Sequence, residues 1–248
     1  MQDNRMNQNT SDNLKSQGYC VLPDTLSSSL VDQLIHQCEV AFQMDQKKTR
    51  TSSSRGHIYA ARNLIDASDL FRTFWKDGFL RPFLLEHLGD SAGLVRVLFF
   101  DKPPDRTWTL PWHKDTAIAV KSHGVDSQHF SRPTVKAGIP HLIASDDILR
   151  SMLTLRVHLD EVTDENGPLR VIPKSHQSSE CEGDGTSQAC DILAQRGEIL
   201  AMRPLITHGS GPSKEGTKRH RRILHLEFSA VENLPDGYQW HDFVSISS

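Results

Sequence analysis

The sequence predicts an α+β fold that is mainly β, on two observations. After about residue 93, short β-rich runs follow one another with Pro, Gly, Asn and Asp between them, the texture of a sandwich or barrel. Before that point apolar residues recur at helical spacing, so the helices gather at one end, over residues 27–90. A single domain is expected over residues 13–248, with its β-rich core over about 93–230, behind a polar leader over residues 1–12 expected to be disordered.

Taken in order, Gly18 to Pro23 reads as a short strand, and Ser27 to Leu30 supplies N-cap residues for a helix carrying Leu30, Leu34, Ile35, Cys38 and Phe42 on one face. Lys47 to Gly56 is polar and Ser-rich and reads as a mobile loop. Asp69 to Lys76 and Phe79 to Leu88 read as two short helices, the second stopped by Gly89. Strands follow at Leu94–Phe100, Thr107–Trp112, Thr116–Val120, Met152–Leu159, Leu169–Ile172, Glu198–Met202 and Arg222–Phe228. Asp164-Glu-Asn-Gly-Pro168 is the strongest turn signal, because Asn-Gly accepts positive φ at both positions. Two long irregular stretches interrupt the strands. Lys121 to Asp146 closely follows Asp115 and reads as a lid, with Arg132, Lys136 and His141 as anion-contacting residues or as ordinary loop polarity. Ser175 to Asp191 carries no chemistry of its own.

Composition excludes several classes. A formal net charge of −3 gives no basic footprint, so nucleic acid is not an expected partner. The cations from Lys214 to Arg222 are either a solvated loop or an anion site. Four scattered cysteines with no CxxC favour free thiols in a reducing compartment. The polar N-terminus has no apolar stretch of a signal peptide, and no run is long enough to span a bilayer, so a cytoplasmic protein is expected.

Pro111-Trp-His-Lys-Asp115 is the most informative run. On a strand, residues i and i+2 face the same way, so His113 and Asp115 converge. A third ligand would complete the two-His-one-carboxylate face of non-haem iron. By itself His-x-Asp is commonplace, its bland reading being two surface residues. Trp112 is read as an aromatic wall. His208, before Gly209-Ser210-Gly211, competes for the third position with His176, and either serves equally as a core histidine. Downstream, Arg219-His-Arg221-Arg222 enters a strand where a guanidinium can hold a carboxylate with two parallel hydrogen bonds. Lys102 is a further residue within reach of a pocket.

Three stretches, in this order, carry a family resemblance: Pro111-Trp-His-Lys-Asp115; Leu159-Asp-Glu-Val-Thr-Asp-Glu-Asn-Gly-Pro-Leu-Arg-Val-Ile-Pro-Lys-Ser-His176; and His208-Gly-Ser-Gly211 followed by Arg221-Arg-Ile-Leu-His-Leu-Glu-Phe228. The chain resembles the phytanoyl-CoA dioxygenase family of iron(II)/2-oxoglutarate-dependent oxygenases over roughly Gly18 to Phe228. The resemblance implies a double-stranded β-helix, a jelly-roll of the cupin-like kind, with flanking N-terminal helices. It implies His113, Asp115 and His208 as the iron(II) ligands, Ser210 and Arg221 as the 2-oxoglutarate residues, and His176 as a structural histidine. It also implies O2 as oxidant, succinate and CO2 as products, and a small-molecule substrate hydroxylated at an unactivated C–H bond. Halogenating relatives replace the carboxylate by a small residue; Asp115 is present here.

Periodicity alone does not select Arg221. It sets Arg222 on the face of Leu224, Leu226 and Phe228, and Arg221 with Ile223, His225 and Glu227, so Arg222 and Arg219 stay open as alternatives. Lys174 stands where the family motif commonly has Gly. Two other readings are carried forward, a catalytically silent jelly-roll that binds a metal or ligand, and hydrolysis at zinc. The second leaves Ser210 and Arg221 without a task.

Overall fold

A computed structural model describes residues 2–47, 49–54, 57–104, 108–124, 126–178 and 188–247, with side chains from residue 10 onward. The chain runs α1 (Gln2–Gln17), β1 (Tyr19–Val21), α2 (Ser28–Met44), β2 (Thr51–Ser54), β3 (His57–Ala61), α3 (Asp69–Thr73), α4 (Leu80–Leu88) and β4 (Gly93–Phe100). Then come β5 (Leu110–His113), β6 (Ala117–Ala119), β7 (Phe130–Lys136), β8 (Ile139–Ala144), α5 (Asp146–Arg150) and β9 (Met152–His158). The remainder is β10 (Leu169–Val171), β11 (Cys190–Ile192), β12 (Ile199–Met202), β13 (His208–Ser210), β14 (Ile223–Ser229) and β15 (Val244–Ser245).

The strands form an eight-stranded sheet in the order β1-β12-β9-β14-β4-β3-β2, with β15 also on β4, a four-stranded sheet β11-β10-β13-β5, and a three-stranded sheet β6-β8-β7. Residues of the two larger sheets line one common cavity. That arrangement is the jelly-roll the resemblance implies. No helix among the described residues is long and apolar enough to cross a membrane.

The large sheet has two unlike faces. Leu224, Leu226 and Phe228 of β14 and Leu153, Leu155 and Val157 of β9 pack into the same core as Leu34 and Cys38 of α2, Phe71 of α3 and Leu84 of α4. Trp75 meets Phe228 edge-on at 5.0 Å between ring centroids. Helix α2 starts where Ser27 Oγ accepts from the Leu30 amide at 3.2 Å, the cap its sequence predicts. Helix α4 ends at Gly89 with φ 81.

Several expectations change. Residues from Gln2 are helical where a disordered leader was expected over 1–12, and the turn that carries Ser11 and Leu14 is buried against the body. The loop expected over 47–56 holds β2, which pairs with β3. Ladder hydrogen bonds need no apolar side chain, so a serine run can form an edge strand. The irregular stretch expected over 121–146 is mostly the hairpin β7–β8. Its prolines masked it: Pro133 lies in the register shift between Ser131 and Thr134, beside Arg132 at φ 48, and an edge strand with a bulge tolerates proline. The 164–168 turn has positive φ at Gly167 but not at Asn166. Asn166 is fully buried, accepting from the Thr163 amide at 2.9 Å and donating to the carbonyls of Glu161 and His220 at 2.8 and 3.0 Å. Of the stretch 175–191, residues 179–187 lie outside those described, as does Cys181. Cys20, Cys38 and Cys190 are free thiols, and burial pushes the first two up to about 12.

Lys174 keeps the turn that the family's glycine would make, at the cost of a left-handed backbone with φ 69. Its amide donates to the Gln17 carbonyl at 2.8 Å, pinning the turn to α1. A side chain in that region is unfavourable by about 1–2 kcal/mol relative to glycine. Lys174→Gly is therefore expected to raise stability by about 0.5–1 kcal/mol after the added chain entropy of glycine, read as a higher urea midpoint with an unchanged m-value.

Candidate active site

Two neighbouring strands place the central histidines. In the register of β13 with β5, His208 lies directly opposite His113, and the rings stand 4.3 Å apart between centroids. The strands come this close because residue 209 is glycine; a Cβ there would sit 2.9 Å from the Leu110 carbonyl oxygen. Asp115 falls just beyond β5 and is held by its own amide, which donates to the Pro204 carbonyl at 3.0 Å. His113, Asp115 and His208 each offer one ligand atom, all within 4.8 Å of one another.

The donor set suits a divalent metal. His113 Nδ1 lies 2.8 Å from the Pro111 carbonyl and His208 Nδ1 lies 2.9 Å from that of Ile206. A carbonyl only accepts, so both Nδ1 atoms carry the hydrogen and both Nε2 lone pairs point inward. Those Nε2 atoms lie 3.7 and 3.5 Å from the two Asp115 oxygens. Asp115 Oδ2 is buried with no hydrogen-bond partner among the described residues, which a buried carboxylate oxygen rarely is. Burial works against ionisation of Asp115, but His208, His225 and His113 outweigh it and hold the carboxyl well below its usual range. Burial pushes His208 down to about 4, against the pull of Asp115, so at neutral pH it is an uncharged ligand.

The cavity face of the large sheet is polar. Arg96 of β4 and Glu227 of β14 form a buried ion pair, with Arg96 Nε donating to Glu227 at 2.8 Å. His225 Nε2 lies 3.3 Å from Glu227 and 3.9 Å from Asp115 Oδ2, and its Nδ1 faces Arg156 Nη1 of β9 at 3.2 Å. This chain of contacts backs the triad from the opposite sheet. Removing one partner of a buried pair leaves a charge uncompensated, typically costing about 3–5 kcal/mol.

Further along the same strands lies a cationic end. Lys102 is fully buried; its Nζ donates to Ser210 Oγ at 2.9 Å and to the Gly211 carbonyl at 2.6 Å. Gly167 makes room for it, since a Cβ there would meet Lys102 Nζ at 3.0 Å. Arg221 is buried, and its Nε has no hydrogen-bond partner among the described residues. Trp108 stacks near both, 4.9 Å from Lys102 Nζ and 5.8 Å from Arg221 Cζ. Lys102, Arg156 and Arg221 have no ion pair among the described residues. Burial, then neighbouring cations, push Lys102 down to about 7 and Arg221 down to about 9. Three buried cations without a counter-ion form a site for an anion.

The structure places His113, Asp115, His208 and Arg221 on one cavity, holds Ser210 on buried Lys102 outside that lining, and separates the competitors. Arg222 pairs with Asp160 at 2.6 Å, and Arg219 pairs with Glu161 at 2.5 Å on the surface. Lys214 pairs with Asp164 at 2.5 Å, so of the 214–222 cations named here Arg221 alone lines the cavity. His176 bonds the Lys15 carbonyl at 3.1 Å, outside the triad. Trp112 is no wall of the cavity: alternation turns it outward, against Gly209 and beneath Arg170 at 5.5 Å. Sequence reasoning missed Trp108, His225, Arg96 and Arg156. The available signal was a charged residue in the middle of each apolar run, Leu-Val-Arg96-Val-Leu and Thr-Leu-Arg156-Val-His.

The family model of phytanoyl-CoA dioxygenase matches residues 14–221. Comparison with curated proteins gives no match. Solved structures of the same fold include EctD from S. alaskensis with 2-oxoglutarate and 5-hydroxyectoine, at 20% identity, TM-score 0.68, covering 91% of this chain and 76% of that one. HygX from Streptomyces hygroscopicus, with nickel and 2-oxoglutarate bound, is 16% identical with TM-score 0.62, covering 95% and 97%. The α-ketoglutarate-dependent epimerase SnoN from nogalamycin biosynthesis is 14% identical with TM-score 0.65, covering 92% and 81%.

Lys102 gives the ligand-free protein a pH signature. Its folded value of about 7 lies below the 10.5 of an exposed lysine, so between those values the unfolded chain binds more protons and stability rises with pH. Lys102→Met removes this dependence. The stability of the variant relative to wild type is expected to be greatest below pH 7 and to fall as pH rises towards 10, measured by urea unfolding across that range.

Proposed function

The chain belongs to the phytanoyl-CoA dioxygenase family, and on that premise we propose that it is an Fe(II)- and 2-oxoglutarate-dependent dioxygenase that hydroxylates a C–H bond of a small organic molecule. The observation that carries the reading is one cavity with two complementary ends. At one end stand two inward imidazole nitrogens and an orphaned carboxylate oxygen; towards the other, Arg156 and Arg221 line the cavity with buried Lys102 near them, none of the three with an ion pair among the described residues. A dicarboxylate with an α-keto group needs both ends at once.

His113, Asp115 and His208 would hold the metal on one face, leaving its remaining positions open. Ser210 lies two residues along β13 from His208, and Arg221 four residues along the chain from His225. That spacing suits Arg221 and Ser210 to the far carboxylate of 2-oxoglutarate, with Lys102 fixing the serine hydroxyl and adding charge. When bound, iron(II), 2-oxoglutarate and O2 supply the oxidising power that no side chain has, with succinate and CO2 as by-products. Leu98, Phe100 and Leu110 give the cavity apolar wall that limits water around the reacting carbon. Asp115 supports hydroxylation over halogenation, because its carboxylate fills the place a halide would take. The free thiols fit a reducing cytoplasm.

A catalytically silent protein that binds a metal or ligand would use the same convergent ligands and anion site, so turnover to succinate is what separates it from the enzyme. The two readings part on one assay. With protein purified anaerobically, 2-oxoglutarate should raise the melting temperature when Fe(II) is present, and succinate should form in air. His113→Ala should abolish the metal-dependent shift. Arg221→Leu should weaken 2-oxoglutarate binding by about 100-fold, equivalent to about 2.7 kcal/mol. A protein stabilised by neither metal nor 2-oxoglutarate is not this enzyme.

A further inference from the structure

Two cations at the rim of the cavity have no task in the chemistry above. Arg62 follows β3, and Lys136 ends β7 on the hairpin β7–β8; both line the same cavity of about 520 Å3 as the triad. That volume is ample for a small ligand. Their neighbours hold them together. Asn63, left-handed at φ 57, donates from Nδ2 to the Ala137 carbonyl at 3.4 Å. Residue 63 adjoins Arg62, and residue 137 adjoins Lys136, so this contact closes the hairpin over the rim and sets two like charges side by side.

Both side chains are half-buried, and neither has an ion pair among the described residues. The acids of the cavity are already used, Glu227 by Arg96 and Asp115 by the imidazoles around it. Burial disfavours the charged form of each, and neighbouring cations add to it, Arg96 for Arg62 and Arg62 then Arg96 for Lys136, while Glu227 and Asp115 offset part of the effect. A pair of surface cations normally turns to solvent and apart. Here the fold holds them together at the entrance, in a chain whose net charge is −3.

We infer that the substrate carries an anionic group, a carboxylate or a phosphate monoester, held by Arg62 and Lys136 while the carbon to be oxidised faces His113, Asp115 and His208. The inference rests on the oxygenase reading, because it assigns the inner cations to 2-oxoglutarate and leaves the outer pair for the substrate.

The test uses protein loaded with Ni(II) and saturating 2-oxoglutarate, so that the inner anion site is filled. Loading is checked first in wild type and each variant by thermal shift. The loaded protein is then titrated calorimetrically with benzoate, phenyl phosphate, benzyl alcohol and benzylamine. Benzoate or phenyl phosphate should bind about tenfold or more tightly than benzyl alcohol, and benzylamine should not bind. The double variant Arg62→Gln, Lys136→Gln should lose about tenfold in anion affinity, whereas Arg62→Lys and Lys136→Arg, which keep the charge, should stay within about threefold of wild type. Equal binding of the alcohol, anion affinity unchanged in the double variant, or binding of neither anion would overturn the inference while the loading shift leaves the oxygenase reading standing. A missing loading shift sinks both.

Discussion

Period-two alternation along β4, β9 and β14 makes each strand serve two environments at once, and the rest of the molecule is arranged around that division. One side of the sheet is leucine, valine and phenylalanine against the helices. The other side presents Arg96, Arg156, Arg221, His225 and Glu227 to the cavity. A one-residue slip in register would exchange the two sets, burying charges in the helical core and emptying the site. Core packing and the cavity face of this sheet are therefore fixed by the same hydrogen-bond ladder.

The same division explains how far the sequence could be read. The helical half and the strand-rich half follow from local patterns; His113 and Asp115 do converge, but Asp115 lies past the end of β5 and not on it as strand alternation assumed. The choice among arginines did not, because periodicity marks Arg222 as the residue sharing the leucine face, and a leucine face is ordinarily the interior. Here the leucines of β14 face the helices and the barrel interior is polar. Arg221 was reached through family resemblance, and its place beside Lys102 and Trp108 depends on contacts more than 100 residues apart in sequence, such as Lys102 with Ser210. The hairpin β7–β8 was illegible for another reason: Pro133 sits at the bulge of an edge strand, which permits it, a context no window of sequence reveals.

Electrostatics runs in one direction through the cavity. The triad end concentrates lone pairs and a carboxylate, and Lys102, Arg156 and Arg221 concentrate positive charge without a partner. Both ends carry groups that favour an occupant: a buried carboxylate oxygen with no hydrogen-bond partner among the described residues at one, like charges held together in a buried setting at the other. Preorganisation of this kind stores part of the folding free energy as affinity, so that occupation of the cavity also consolidates the fold. Beyond His225, on the side away from Arg221, the buried Arg96–Glu227 pair joins β4 to β14 at directly opposed positions.

Asp115 differs from the histidines in how it is held. His113 and His208 are rungs of the β5–β13 ladder, whereas Asp115 hangs beyond it by one backbone hydrogen bond to Pro204. Its carboxylate carries no sheet register and packs no core. The two imidazoles thus belong to the sheet, whereas the third arm is joined to the frame through its backbone amide alone. A scaffold built this way offers natural variation, and protein engineers, a place to alter the reaction without rebuilding the fold.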